Sequence, residues 1–377
     1  MCQACFTVLP TDQFGEKLVG IINSAGLALM ISIGHRTGLF DTLAALPPAT
    51  STEIAEAAGL NERYVREWLG AMTVGGIVLC EPEGPRFSLP AEHAACLTRA
   101  AGADNIAVFT QYIAVLGGVE DKIVRCFREG GGVPYSDFPR FHEVMAEDSA
   151  QSVGSSLLSV SLPAIPGLME RLEQGIEMLD IGCGSGRILN LFARSFPNSQ
   201  FVGYDLSEEA LHTARSEARE AGISNLRFEQ RDLTTFHEEA APEEFDLITA
   251  FDAIHDQARP DQVLAGIRTA LWRDGLFLMQ DIGGSSSPEK NFDRPLGPLL
   301  YTISCMHCMT VSLAQGGMGL GAMWGREKAL AMLQDAGFYD VEVKEFPHDI
   351  QNFYYLAKPG RSLANGATEA VAGAIGC

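Results

Sequence analysis

Apolar and polar positions follow one rhythm in the first half of this chain and another in the second. Residues 18–33 (LVGIINSAGLALMISI) are free of charge and predict a helix. The run is shorter than the roughly 20 apolar residues a bilayer needs, contains Asn23, Ser24 and Gly26, and follows Asp12 and Glu16 instead of a basic leader, so it predicts a buried helix and no membrane segment. Three helices and a hairpin are then predicted between residues 35 and 98. The first begins at Gly38-Leu39-Phe40-Asp41 and ends at Pro47-Pro48; a second, capped at Ser51, stops at Gly59; a third, capped by Asn61, carries Tyr64, Val65, Trp68, Leu69 and Met72 at helical spacing. Apolar runs at 77–79 and 86–89 flank the Gly84-Pro85 turn, and this order is that of a winged helix-turn-helix. Residues 104–165 read as helical connecting material broken at 130–134. From Glu177 the pattern becomes short apolar runs alternating with amphipathic helices, as in a parallel sheet covered on both faces. Predicted strands are 177–181, 200–204, 226–229, 245–250 and 275–280, and after Ala336-Gly337-Phe338 an antiparallel pair at 341–345 and 353–357.

Charge narrows the use of the winged helix. The 377 residues carry 27 Lys and Arg against 48 Asp and Glu, a net charge of −21, and no basic cluster that would release counterions from a phosphate backbone. The predicted recognition helix reads Glu62, Arg63, Arg66, Glu67, close to neutral. Packing and dimerisation fit it better than DNA binding. Nine scattered cysteines form no disulfide framework and point to a reducing, cytoplasmic compartment. The composition, 46% hydrophobic and 20% charged, is that of an ordinary globular enzyme.

The strongest local motif is Glu177-Met178-Leu179-Asp180-Ile181-Gly182-Cys183-Gly184-Ser185-Gly186, a strand entering a glycine turn and then a helix over 188–196. Such a turn lets a ligand approach the backbone and leaves amide N–H groups facing it. The spacing is G-x-G-x-G, not the G-x-G-x-x-G of a dinucleotide site, and Asp180 suits a ligand bringing an amine and a sulfonium more than a pyrophosphate. Asp205 ends the next strand, where a carboxylate can accept two ribose hydroxyls. Asp232-Leu233 follows the third, placed for an adenine amine and ring or, as readily, for an ordinary cap.

With these three acids in place the chain resembles the class I S-adenosylmethionine-dependent methyltransferases over residues 169–358, and nearly its whole length resembles the plant-type small-molecule O-methyltransferases and their bacterial winged-helix relatives. The resemblance implies an α/β fold with a Rossmann-like seven-stranded sheet, parallel with one reversed strand, behind a mainly helical winged-helix domain. It divides the chain into a dimerisation and substrate-cap domain (1–165), a cofactor-binding domain (166–360) and a disordered tail (361–377). It implies S-adenosyl-L-methionine as cofactor, S-adenosyl-L-homocysteine as product, a homodimer and a small-molecule acceptor, with neither nucleic acid nor membrane as partner. The implied cofactor residues are Asp180, Gly182, Gly184, Gly186, Asp205, Leu206, Asp232, Leu233 and Phe251.

His255, in the loop Phe251-Asp252-Ala253-Ile254-His255-Asp256-Gln257, resembles the family's general base; Asp281 stands where the family has a flanking carboxylate, and Asp256 is the other candidate to orient the ring. The family's second flanking Glu is replaced by Met323, which leaves the orienting carboxylates and a phenolic acceptor open. Ser304, His307 and Cys308 share one helix face and, with Met323 and Trp324, are expected to line the acceptor pocket. Cys305 and Cys308 with His307 or His255 form a conceivable soft-metal set, but no second such pair lies at zinc-finger spacing from them and Cys2-x-x-Cys5 is expected in a mobile terminus, so pocket lining is the expectation and no metal is assigned. The glycine-rich run 316–321 is expected to be a mobile pocket loop. The resulting expectation is a cytoplasmic, homodimeric methyltransferase acting on oxygen with His255 as base. The alternatives are thiol S-methylation and, in a different class, a cofactor-sensing winged-helix regulator.

Overall fold

The computed structural model describes residues 8–360, Glu83 and Ser155 apart. The predicted tail at 361–377 and the Cys2 and Cys5 pair lie outside the described residues. The chain forms two compact units, residues up to 121 with 136–160, and residues 122–135 with 161 onward. Segment 122–135, which the sequence places with the first domain, thus goes with the second unit.

In the first unit a helix spans Thr11–Thr37 and closes on Gly38 in the left-handed conformation (φ 73°). Helices Leu39–Ala45, Ser51–Ala58 and Glu62–Val74 follow, then the two-stranded wing β1 (Leu79–Cys80) and β2 (Phe87–Ser88). The second of these three helices is capped by Thr50, whose side chain accepts from Glu53 N–H in a capping box; Ser51 instead bonds to Glu62. Phe40, Ile54, Leu69 and Met72 are fully buried, and Trp68 donates its indole N–H to the Met30 carbonyl at 2.8 Å. This explains how the first helix docks. Its carboxyl-terminal half packs Leu27, Met30 and Ile31 on the winged-helix core, and a methyl group at Gly34 would come within 2.5 Å of Trp68.

The rest of that helix departs from expectation. It was predicted to be buried, yet only Ser32, Gly34 and His35 are, while Val19, Ile21 and Ile22 are more than half exposed. The described chain supplies packing partners to one end only. By length and composition the helix is long and apolar enough to cross a membrane.

In the second unit, strands β3 (Glu177–Ile181), β4 (Gln200–Asp205), β5 (Leu226–Gln230), β6 (Phe245–Phe251), β7 (Leu271–Ile282), β8 (Phe338–Lys344) and β9 (Asn352–Pro359) form one sheet in the order β5-β4-β3-β6-β7-β9-β8. All neighbours pair parallel except β9, which runs antiparallel to both β7 and β8. This is the expected sheet with one reversed strand. Its middle strands are buried on both faces, which is why they read as unbroken apolar runs and not as alternation. The chain winds outward through β3, β4 and β5 and returns to the other side of β3 with β6. That reversal opens a crevice at the carboxyl ends of β3 and β6, where ligands bind in sheets of this kind.

Candidate functional site

The glycine turn after β3 is tightly held. Gly182, Gly184 and Gly186 all have positive φ (69°, 53° and 69°), a conformation costly for residues with a Cβ. A methyl group at Gly182 would come within 2.6 Å of Ala253 Cβ in the loop after β6, whereas at Gly184 nothing lies within 4 Å, so that backbone faces open space. Asp205, at the end of β4, braces the turn: one carboxylate oxygen accepts from Gly184 N–H and the other from Ser207 N–H, both at 2.8 Å. Leu206 beside it is 53% exposed.

Asp180 is buried beneath this turn and accepts from the Thr249 hydroxyl at 2.6 Å. Burial pushes its carboxyl up to about 7, Thr249 opposes this, and Asp205 adds to it. No basic side chain takes part. A buried carboxyl lacking a cationic neighbour, below an open glycine backbone, fits a ligand that brings its own positive charge. Asp232 is exposed and caps a short turn through Thr234 N–H and Oγ1, Leu233 is buried in the core, and Phe251 is part-buried at the end of β6.

The loop after β6 brings the proposed proton-handling groups together. Asp252 takes the left-handed conformation (φ 50°), and His255, 2% exposed, places Nδ1 2.7 Å from Asp281 Oδ1 at the end of β7. The same oxygen accepts from Trp324 Nε1–H at 3.0 Å and from Ile282 N–H at 2.8 Å. With three donors on one oxygen, Asp281 is fixed in place. On the other side of the ring, Nε2 lies 3.2 Å from Asp256 Oδ1. Burial alone would lower the imidazole pKa, but Asp281 and Asp256 outweigh it and hold His255 well above its ordinary value. Asp256 stays low despite its own burial, chiefly because of His255. Asp252 is pushed well above the carboxylate range by burial and by Asp281, and accepts from Gln280. His255 thus sits between two acidic side chains that favour its protonated form.

Trp324 is the residue whose role here sequence reasoning missed. The Glu expected to flank the histidine is Met323, and the next side chain along supplies an N–H to Asp281 instead of a carboxylate to the ring. Ser304, His307 and Cys308 lie at the π turn Ser304–Cys308 between helices Gly297–Ile303 and Met309–Ala314, and all three are buried. Cys308 comes within 4.8 Å of the ligand atoms of His255 and Asp256, and burial pushes its thiol up to about 12. His307 meets the edge of Tyr135 at a ring distance of 5.0 Å. Ser304 Oγ accepts from Met323 N–H at 3.4 Å. Cys305 faces elsewhere, lining a cavity of about 550 Å³ with Cys126, Phe127 and Met309. The glycine run packs against the loop that holds His255, Met318 N–H donating to the Ala258 carbonyl at 3.0 Å.

Residues 25–99 match the family model of the Rv2258c-like winged HTH domain, and residues 172–337 match that of a methyltransferase domain. Among curated proteins, the malonyl-[acyl-carrier protein] O-methyltransferase of Paenibacillus sp. (strain JDR-2) is 27% identical over 113 residues, 30% of this chain and 41% of that protein. The (S)-coclaurine N-methyltransferase of Papaver somniferum is 29% identical over 116 residues, 30% of this chain and 32% of that protein. The chain thus spans less than half the length of these relatives, and they differ in the atom named as acceptor. Among solved structures, an O-methyltransferase-like protein of Nostoc punctiforme superposes with a TM-score of 0.68 at 18% identity, covering 93% of this chain and 100% of that one. Human N-acetylserotonin methyltransferase, solved with S-adenosylmethionine, gives 0.65 at 18% identity, covering 94% and 100%. These likenesses establish the fold over nearly the whole chain. The two domain matches accordingly give the chain an Rv2258c-like winged HTH domain over residues 25–99, followed by a methyltransferase domain over residues 172–337.

Proposed function

We propose that this protein methylates a small-molecule acceptor, preferentially at oxygen, with the His255, Asp281 and Asp256 set receiving the acceptor's proton. One observation carries the reading: a buried histidine held at Nδ1 by Asp281 presents Nε2 beside the loop that meets the glycine turn. Bound S-adenosylmethionine supplies an electrophilic methyl group on a sulfonium. Asp180 balances positive charge beneath the turn, the Gly184 region receives the ligand's polar backbone contacts, and Asp205 offers carboxylate oxygens toward a ribose. Leu233 and Asp232 stand on the adenine side. Asp281 fixes the imidazole so that Nε2 points one way only. An acceptor hydroxyl approaching Nε2 and Asp256 meets a coupled imidazole and carboxylate set that takes up its proton as the oxygen bonds to the methyl carbon. That proton therefore belongs to the set as a whole, and removing it from a hydroxyl is worth about a hundredfold to ten-thousandfold.

Two further readings belong to this proposal. The protein works as a homodimer, supported by the exposed apolar side chains of helix Thr11–Thr37, in the reducing cytoplasm, supported by free cysteines such as Cys183 and Cys308, and its winged helix does not bind DNA, supported by the near-neutral third helix. The experiment is incubation with S-adenosylmethionine and paired phenol and thiol acceptors, wild type against His255→Ala. Loss of turnover on phenols with retained cofactor binding supports the reading. Retention on thiols alone moves it to S-methylation. Salt-sensitive duplex binding without turnover on any acceptor replaces it with a regulator.

A further inference from the structure

The pairing of Cys305 with Cys308 suggested by their spacing does not form around one ligand, since Cys305 lines a different cavity. A separate cluster forms in its place. His255, Asp256 and Cys308 bring one nitrogen, one carboxylate oxygen and one sulfur within 4.8 Å of one another. We propose that these three side chains constitute a binding site for a thiophilic divalent cation of the zinc class.

Four features carry the assignment. First, the pair Nε2 and Asp256 Oδ1, at 3.2 Å, already stands near the ligand separation of about 3.4 Å that tetrahedral bonds of zinc length produce. Second, the other ring nitrogen, Nδ1, lies 2.7 Å from Asp281 Oδ1, where its N–H donates to the carboxylate, the carboxylate–histidine arrangement that fixes the tautomer and presents Nε2 to a metal. Trp324 and Ile282 in turn fix Asp281. Third, Asp256 Oδ1 is buried and receives no well-aligned hydrogen bond, while His255 and Cys308 are 2% and 4% exposed. Fourth, the set has the right charge and softness. Neutral imidazole, carboxylate and thiolate together carry −2 and neutralise a divalent cation, and a sulfur ligand selects zinc over magnesium or calcium.

The buried thiol keeps its proton in the metal-free protein, and coordination releases it to solvent as the metal–sulfur bond forms. The imidazole proton leaves Nε2 in the same event. Three protein ligands leave a fourth position open. Occupation takes the nitrogen assigned above to proton transfer, so metal binding and base-assisted methylation through His255 exclude each other. The site goes beyond the proposed function and its test reads binding alone, so failure of either leaves the other standing.

The experiment uses cobalt(II) as a spectroscopic substitute and zinc(II) as competitor, added to the full chain with Cys2 and Cys5 replaced by Ser to remove the outlying pair. The expected result is one equivalent of tetrahedral cobalt with a thiolate charge-transfer band, displaced by zinc, and X-ray absorption showing one sulfur at about 2.3 Å with nitrogen and oxygen. Cys308→Ser should abolish the band, and Asp281→Asn should weaken binding about tenfold to a hundredfold while keeping it. Should Cys308→Ser fail to fold, the scatterer count on the protein carrying Cys308 decides. No stoichiometric binding, two or more sulfurs around the metal, or an unchanged band in folded Cys308→Ser overturns the site.

Discussion

Replacing Asp281 by Asn tests the proposed chemistry most directly, because Asp281 is wholly buried and one of its oxygens serves His255, Trp324 and Ile282. Asn keeps an acceptor oxygen for these donors but removes the charge, and puts an amide N–H where Oδ2 is buried without a hydrogen-bond partner. Leaving such a donor unpaired costs about 1–3 kcal/mol of stability, so the variant should fold with a lowered melting temperature. The functional effect should be larger. With Asn at position 281 the imidazole loses the larger of the two acidic influences that hold its pKa up, and with it part of its capacity to keep an acceptor's proton. Turnover should then fall by about a hundredfold to ten-thousandfold, which is about 2.7–5.5 kcal/mol of barrier. Cofactor affinity should stay within about threefold, since none of the three donors belongs to the glycine turn. Release of S-adenosylhomocysteine measures turnover, titration calorimetry the cofactor affinity, and scanning calorimetry the melting temperature. Wild-type turnover in a folded Asp281→Asn protein would falsify the proton-accepting role of the set.

Asp205→Ala should weaken S-adenosylmethionine by about 1.5–3 kcal/mol, roughly tenfold to a hundredfold, and unchanged calorimetric affinity with the fold intact would argue against the ribose assignment. Cofactor affinity should rise with pH through about 7: Asp180 is protonated below that value in the free protein, and a cationic ligand needs the carboxylate, so binding releases a proton at pH 6 and none at pH 9. The same raised pKa means that this group costs stability above its unfolded value near 4, increasingly up to about 7. Asp180→Asn should therefore melt higher than wild type at pH 8 and show a flat affinity profile; an unchanged slope would assign the titration elsewhere. Introducing Asp at both Val19 and Ile22, which are 58% and 69% exposed, should convert a homodimer to a monomer in light scattering; a persistent dimer would remove helix Thr11–Thr37 from the interface.

The elements that local chemistry specifies were legible in the sequence. Strand β3 and its glycine turn follow from a buried apolar run that meets residues able to take positive φ, and the acids ending β3 and β4 lie next to those signals in the chain. Strand β7 reads only in part: 275–280 is the apolar centre, while Trp272, Arg273 and Asp274 are exposed and show the strand only once β6 pairs alongside. The apolar stretch at 18–33 specifies a helix and an apolar surface to be covered. Which end this chain covers depends on Trp68 and the rest of the winged-helix core.

By itself, then, the sequence determined the periodicities, the turns and the acids at the strand ends, because each arises between residues a few positions apart. The tertiary structure alone decided the state of the site. His255 owes its raised pKa chiefly to Asp281, 26 residues away, Asp281 owes its position in part to Trp324, 43 residues on, and Cys308 reaches His255 while Cys305 turns to another cavity. Desolvation and Coulomb interactions depend on distance in space. Adjacency along the chain does not encode them, so a histidine that reads as an ordinary base is pushed, once buried between two acidic side chains, toward its protonated form.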